Sequence, residues 1–332
     1  MVSSLDVARL AGVSRSQVSN YFNRPDLVSE DMGRRIGKAV EQLGYTPNET
    51  ARRLRRGHNE NIGVVLVDAW GPFFDEVSVG IEDEAEASGW SVQFSNSRRS
   101  AERERRHIEF YEAQMTQGVI VFPTGDVSEI VRRLARRGIT AVLLDPPHAT
   151  RLVPPVPSVA VDHIIGGGLA GQHLVARGAR RPAFVGDPAH EHTADRIEGF
   201  QQAVREGLPR SRPSLFPTDT LSIPGGALAA QQILALPADE RPDGLFAAND
   251  LVAIGLMQAL TAAGIGVPSD IMLIGYDDIV MASQIATPLT TVRQPATELG
   301  AAAVRLVVQH STKRGTSQEH IVLQPELIVR ST

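Results

Sequence analysis

The 332-residue chain contains no cysteine. Disulfide bonds, thiolate nucleophiles and cysteine-held zinc are therefore excluded. The opening, Met1-Val2-Ser3-Ser4-Leu5-Asp6, lacks the basic and then apolar pattern of a secretion leader. A cytoplasmic location is expected from this. No apolar run approaches the roughly 20 residues needed to span a bilayer. Nor is there a serine elbow, a phosphate loop or a convincing acid–base pair, so no enzyme, cofactor or metal is expected.

What is present begins with uneven charge. The net charge is −5, yet residues 1–60 carry +3 and residues 61–332 carry −8. Arg52, Arg53, Arg55 and Arg56 fall within five positions. A basic head on an acidic body is the electrostatic footprint of a small DNA-contacting module.

The pattern of the head agrees. Leu5, Val7, Ala8, Leu10 and Ala11 form an apolar stripe on a first short helix. Gly12 supplies a left-handed turn and Val13 a buried anchor. Ser14 stands at the N-cap of a second helix, about 15–22, which buries Val18 and exposes Arg15, Ser16, Gln17, Ser19 and Asn20. Asn23, Arg24, Pro25 and Asp26 read as a loop. Ser29 caps a third helix with Met32, Ile36, Val40 and Leu43 at helical spacing, closed by Gly44. Helix, short turn and helix, with a polar outer face, is an arrangement that enters a major groove.

From Ile62 onward, apolar runs alternate with amphipathic helices. Strands are expected at 62–67, 91–94, 119–122, 141–144, 159–161, 183–185, 245–247 and 272–274. Continuous apolar strands separated by helices imply parallel sheets covered on both faces. Their number implies two lobes. The expected division is a helix-turn-helix domain at 1–46, a hinge and linker at 47–60, one lobe from 61–160 with 291–330, and a second lobe at 161–290. In such folds a ligand binds beyond the carboxyl ends of the strands. The residues placed there are Asp68, Trp70, Phe73 and Phe74, then Asp145, His190, His192, Arg196, Asn249 and Asp277. Carboxylates, an amide and an arginine around aromatic faces suit a hydroxyl-rich ring such as a sugar, and a nucleobase would use similar groups. Asp250 reads as an N-cap for the next helix.

These motifs resemble the lactose-repressor and galactose-repressor family of bacterial regulators. The match is carried by Leu5-Asp6-Val7-Ala8, Ala11-Gly12-Val13-Ser14, Val18-Ser19, Val28-Ser29, and Gly44-Tyr45-Thr46-Pro47-Asn48 with Ala51 and Leu54. In the body it is carried by Pro72-Phe73-Phe74, Thr193 to Arg196, Ala248-Asn249-Asp250, Gly275-Tyr276-Asp277-Asp278 and Thr290 to Pro295. The resemblance covers nearly the whole chain. It implies an all-α helix-turn-helix head followed by a two-lobed, periplasmic-binding-protein-like α/β domain. It implies a DNA-binding regulator, read here as a repressor, whose operator affinity a small molecule controls.

The resemblance further implies that Arg15, Ser16 and Asn20 read bases, with Ser14, Gln17, Ser19 and Asn23 beside them. Many members carry arginine where this chain has Asn20, and asparagine suits adenine better than guanine. Residues 48–55 would form a hinge helix ordered on DNA, with Asn48 and Arg55 at its ends. Leu54 would wedge into the minor groove and Ala51 would pack against its dimer mate. Two heads on an inverted repeat imply a homodimer. Of the effector contacts, Arg196 and Asp277 stand first.

Two motifs point elsewhere. Gly166-Gly167-Gly168-Leu169-Ala170-Gly171 satisfies a dinucleotide fingerprint, but four residues separate it from the preceding strand, so the glycines are expected inside a helix as packing contacts. His190-Glu191-His192 suggests a metal, yet no third ligand is assignable from sequence, and a polar cleft wall is the expectation. A nucleobase or nucleoside effector, an exported solute-binding protein and a sugar- or nucleotide-using α/β enzyme are the alternatives.

Overall fold

The computed structural model describes residues 2–45, 60–68, 71–146, 156–189, 192–312 and 319–332. It divides into two units, Met1–Asn59 and Glu60–Thr332.

In the first unit, helix α1 (Ser4–Ala11) is fixed at both ends. The Ser3 hydroxyl accepts from the Asp6 amide while the Asp6 carboxylate accepts from the Ser3 amide, and Gly12 ends the helix at φ 64°. Helix α2 (Arg15–Asn23) starts with the same reciprocal device, made by Ser14 and Gln17. Such caps satisfy amides that a helix leaves unpaired in its first turn. Helix α3 (Glu30–Leu43) is capped by Ser29 and closed by Gly44 at φ 57°.

The three helices share a small core of Val7, Ala8, Ala11, Val18, Ile36 and Ala39, with Val13, Met32, Val40 and Leu43 half-buried against it. The first stripe is narrower than the sequence predicts. Leu5 and Leu10 are 52% and 47% exposed, because an eight-residue helix against two neighbours turns only the Val7–Ala8–Ala11 side inward. The segment after α2 is also more ordered than a loop: α2 runs on to Asn23, and residues 25–27 form a single 3-10 turn.

The second unit contains two six-stranded sheets. The first holds β1 (Asn61–Leu66), β2 (Ser91–Asn96), β3 (Gly118–Val121), β4 (Thr140–Leu144), β5 (Ser158–Val161) and β11 (His320–Leu323), in the order β11-β5-β4-β3-β1-β2. All its pairings are parallel. Ile62, Val64 and Leu66 enter the core on one face and Val65 the core on the other. Apolar residues at successive positions are thus all buried, as a sheet clad on both sides requires. Helices α4 (Pro72–Ala87) and α12 (Ala296–Thr312) cover one face; α5 (Ala101–Ala113) and α6 (Ser128–Arg136) cover the other.

The second sheet holds β6 (Pro182–Val185), β7 (Ser214–Phe216), β8 (Gly244–Ala247), β9 (Met272–Asp277), β10 (Thr290–Arg293) and β12 (Glu326–Ile328), in the order β12-β10-β9-β8-β6-β7. Only β12 is antiparallel, to β10. Helices α7 (His163–Ala176) and α8 (Thr193–Gly207) lie on one face, α9 (Ile223–Leu234) and α10 (Asp250–Ala262) on the other. A short helix, α11 (Val280–Gln284), follows β9.

The boundary expected at residue 291 needs correction. Strand β10 belongs to the second lobe, where Thr290 and Thr291 are fully buried. The hydroxyl of Thr290 donates to the Thr332 carbonyl and that of Thr291 to Asp250. The chain returns to the first lobe only after β10, through α12 and β11. It then crosses back so that β12 completes the second sheet. Three crossovers, after β5, β10 and β11, therefore join the lobes. No described helix is long and apolar enough to cross a membrane.

Candidate functional site

At the carboxyl ends of the strands, residues of both lobes line a small cavity of about 90 Å³. Asp68, Phe73, Phe74, Asp145, His192, Arg196, Asn249 and Asp277 all line it. Trp70 and His190 lie outside the described residues, as do Asn48, Ala51, Leu54 and Arg55. The sequence did not single out Arg99, Phe122 or Gln294, which also line the cavity.

Three aromatic rings form one apolar wall. Phe74 sits edge-on to Phe73 at 5.2 Å and to Phe122 at 5.3 Å. Phe74 is at once core and wall, being 8% exposed.

The polar wall is built around Arg196, buried in the first turn of α8. Its Nη1 donates to the Ala248 carbonyl at 2.5 Å, its Nε toward His163 Nδ1 at 3.3 Å, and its guanidinium lies 3.7 Å above the Tyr276 ring. An arginine stacked on an aromatic and tied to a carbonyl is fixed in direction before any ligand arrives. His163 was not expected at the site from sequence; Tyr276 stood in the strand-end motif 275–278 but was not among the expected contacts. Both are buried behind the wall, where the only signal is their position at a helix start and a strand end.

Asp145 closes the floor. Its Oδ1 accepts from the Val161 amide at 2.9 Å and its Oδ2 from His163 Nε2 at 3.0 Å, while His192 Nε2 stands 3.4 Å away. Burial alone would raise its pKa, but the two imidazoles and these hydrogen bonds outweigh that and hold the carboxyl well below the usual range. Burial pushes His192 the other way, to about 3, so its imidazole is neutral at pH 7. Opposite Asp145, Asp277 accepts from Gln294 Nε2 at 2.7 Å and is raised to about 6 by burial, with Arg196 opposing. Asp145, His192 and Asp277 hold φ values of 48°, 58° and 107°. Non-glycine residues in this region are strained, and such strain gathers at ligand sites.

The cap expected of Asp250 is made by Asn249. Asn249 is the N-cap of α10, its side chain accepting from the Val252 amide at 2.9 Å, and it still lines the cavity. Asp250 is the first helical residue, fully buried, accepting from the Ile279 amide and the Thr291 hydroxyl. Asp278 faces away from the cavity, into ion pairs with Arg293 and Arg330.

The glycine run lies within α7, as its distance from β5 predicts. A Cβ on Gly167 would meet the carbonyl of Arg196, and one on Gly199 that of Ile164. The run lets α7 and α8 touch.

On the head, Arg15 and Ser16 are exposed, but Gln17, Ser19 and Asn20 are only half-exposed. The Gln17 Oε1 accepts from the Ser14 amide at 2.8 Å, and Asn23 Nδ2 donates to the Ser19 carbonyl at 2.7 Å. These two amides shape the helix as well as its outer face. Arg15 Nε donates to Ser4 Oγ at 3.1 Å, and the hydroxyls of Ser14 and Ser16 lie 2.8 Å apart.

Comparison with known proteins bears on both units. Residues 5–48 match the model of bacterial regulatory proteins of the lacI family, and residues 172–332 that of a periplasmic binding protein-like domain. The ribose operon repressor of Escherichia coli (strain K12) is 31% identical over the full length of both chains. The chain belongs to the lacI family. The repressor PurR of Vibrio atlanticus (strain LGP32) is 30% identical across 100% of this chain and 98% of its own. Among solved structures, the Lac repressor dimer bound to operator and the anti-inducer ONPF superposes with a TM-score of 0.88 at 28% identity, covering 100% of this chain and 98% of that one. A lacI-family regulator from Enterococcus faecium with bound ribose gives 0.70 at 30% identity, covering 82% and 98%. This lacI-family member is thus a sequence-specific, DNA-binding regulator of transcription, with a small-molecule-binding body of two parallel-sheet lobes.

Proposed function

We propose that the protein is a homodimeric repressor whose grip on an inverted-repeat operator is set by a sugar bound between its two lobes. The observation that carries this is the cavity wall itself. Asp145, Arg196, Asn249, Asp277 and Gln294 supply donors and acceptors around the rings of Phe73, Phe74 and Phe122. A sugar ring offers hydroxyls at its rim and C–H faces above and below, and this wall offers matching groups to each. The ribose-bound relative and the ribose operon repressor support the same class.

In this mechanism Arg196 donates to ring or hydroxyl oxygens, and Asp277 and Asn249 accept from hydroxyls. Ligand contact with both lobes favours one lobe arrangement, and the heads respond through the segment that precedes residue 60. Arg15, Ser16 and Asn20 present donors and acceptors to base edges.

The test is a thermal-shift series on the full chain with ribose, other pentoses, hexoses and nucleobases. A binding sugar raises the melting temperature in proportion to the logarithm of its concentration. Arg196→Ala removes that shift while operator binding in the absence of sugar stays within a few-fold of wild type. A shift from nucleobases and from no sugar would refute the effector class.

A further inference from the structure

We propose that Asp145, His163 and His192 bind a divalent transition-metal ion at the floor of the effector cavity. One donor atom from each of the three residues converges there, all within 4.8 Å of one another, and Asp145 Oδ2 faces Nε2 of both histidines. The carboxylate oxygen lies 3.0 Å from one nitrogen and 3.4 Å from the other. Ligands bonded at about 2.0–2.2 Å to one tetrahedral or octahedral ion stand roughly 2.9–3.5 Å apart, so these two separations need little change, while the rings of His163 and His192, stacked at 4.4 Å and 18°, must turn for both lone pairs to meet one ion.

Burial makes the cluster specific. The three residues are 1%, 3% and 6% exposed. Neither ring nitrogen of His192 has a hydrogen-bond partner among the described residues. A buried polar atom without a partner costs free energy that an ion would recover. Two imidazoles and one carboxylate favour zinc, cobalt or nickel over magnesium or calcium, which prefer oxygen donors. Asp145 and His192 both line the cavity, so water or a ligand hydroxyl can complete the coordination from that side.

A supporting residue is in place as well. Metal-bound histidines usually donate their other ring N–H to a fixed acceptor. His163 Nδ1 lies 3.0 Å from the Tyr276 hydroxyl, which can accept a hydrogen bond from the Nδ1–H once Nε2 takes the ion. The cost is the 3.3 Å contact from Arg196 Nε to the same nitrogen, which is surrendered. The bond from Arg196 Nη1 to Ala248 is untouched. Asp145 follows a strand of the first lobe, whereas His163 and His192 open helices of the second, so the ion would bridge the cleft.

The experiment titrates the tag-free, chelator-stripped full chain with Co²⁺, read by visible absorption, and with Zn²⁺ and Mg²⁺, read by calorimetry. One cobalt ion per chain with visible bands, displaced by zinc and not by magnesium, is expected. His163→Gln and His192→Gln weaken binding about 100-fold and Tyr276→Phe about 10-fold. His107→Gln, on α5 of the first lobe, leaves it unchanged. Wild-type protein that takes up less than one ion per chain, or binds magnesium equally well, overturns the proposal even if the variants misfold. So does a His107→Gln loss as large as those of the site variants. Ribose shifts on the stripped protein are measured separately, so failure of the sugar assignment leaves the metal result intact.

Discussion

On the cavity wall, Asp277 is raised from 3.8 to about 6 and His192 is lowered from 6.5 to about 3, each chiefly by burial. The folded state keeps a proton on Asp277 that the unfolded chain releases, so its contribution to stability fades as pH rises from 3.8 to about 6. For His192 the unfolded chain takes up a proton that the folded state refuses, so stability falls as pH drops from 6.5 towards about 3. The two slopes oppose each other between about pH 4 and 6. Asp277→Asn should therefore gain stability relative to wild type as pH rises through that window, and His192→Gln should lose it. Melting temperatures of the three proteins across the window decide the matter. Parallel curves would mean that neither group is buried as described.

Among elements, the contact between α7 and α8 positions Arg196, and it depends on glycine. A methyl group on Gly167 would meet the Arg196 carbonyl, whereas on Gly168 its nearest neighbour is the Gly199 carbonyl at 3.9 Å. Gly167→Ala should cost about 1–3 kcal/mol through overpacking and also weaken the effector response by displacing Arg196. Gly168→Ala should be neutral or stabilise by up to about 1 kcal/mol, since alanine loses less chain entropy in a helix. Calorimetric melting of both variants checks the contrast. Equal losses would show that helix interruption, not crowding, is at stake.

The same elements show what could be read from sequence. Strands β1, β3, β4, β6, β8 and β9 announce themselves as apolar runs because both sheet faces are covered. Strands β7, β11 and β12 do not, because they lie at sheet edges with exposed or half-exposed side chains, and pairing rather than hydrophobicity holds them. Likewise Asp145, Arg196 and Asp277 were legible as polar residues at element ends. The supporting parts of His163 and Tyr276 were not, although Tyr276 stood in a strand-end motif, since those parts depend on which rings the fold stacks behind Arg196. The N-cap of α10 was misassigned by one residue because Asn249 and Asp250 are both good caps, and only burial separates them.

For the whole molecule, the division at Asn59 separates charge as well as structure. The body has its own cores on both faces of both sheets, and among the described residues these cores draw only on positions from 60 onward. Residues 60–332 alone should therefore melt cooperatively and keep the effector-induced shift. They should lose operator binding, because this body, −9 with Glu60 included, repels phosphates that the +4 head of residues 1–59 attracts. In the full chain, the logarithm of operator affinity should fall linearly with the logarithm of salt concentration, with a slope of about −0.9 per phosphate neutralised. Asn20→Ala should leave that slope unchanged while narrowing the gap between operator and random duplex, since an amide facing a base edge carries sequence information and no charge. Arg15→Ala should reduce the slope if its guanidinium reaches a phosphate and the specificity gap if it reaches a base. Salt titrations on both duplexes separate these outcomes, and retention of operator affinity by the headless chain would contradict the assignment of DNA recognition to the first unit.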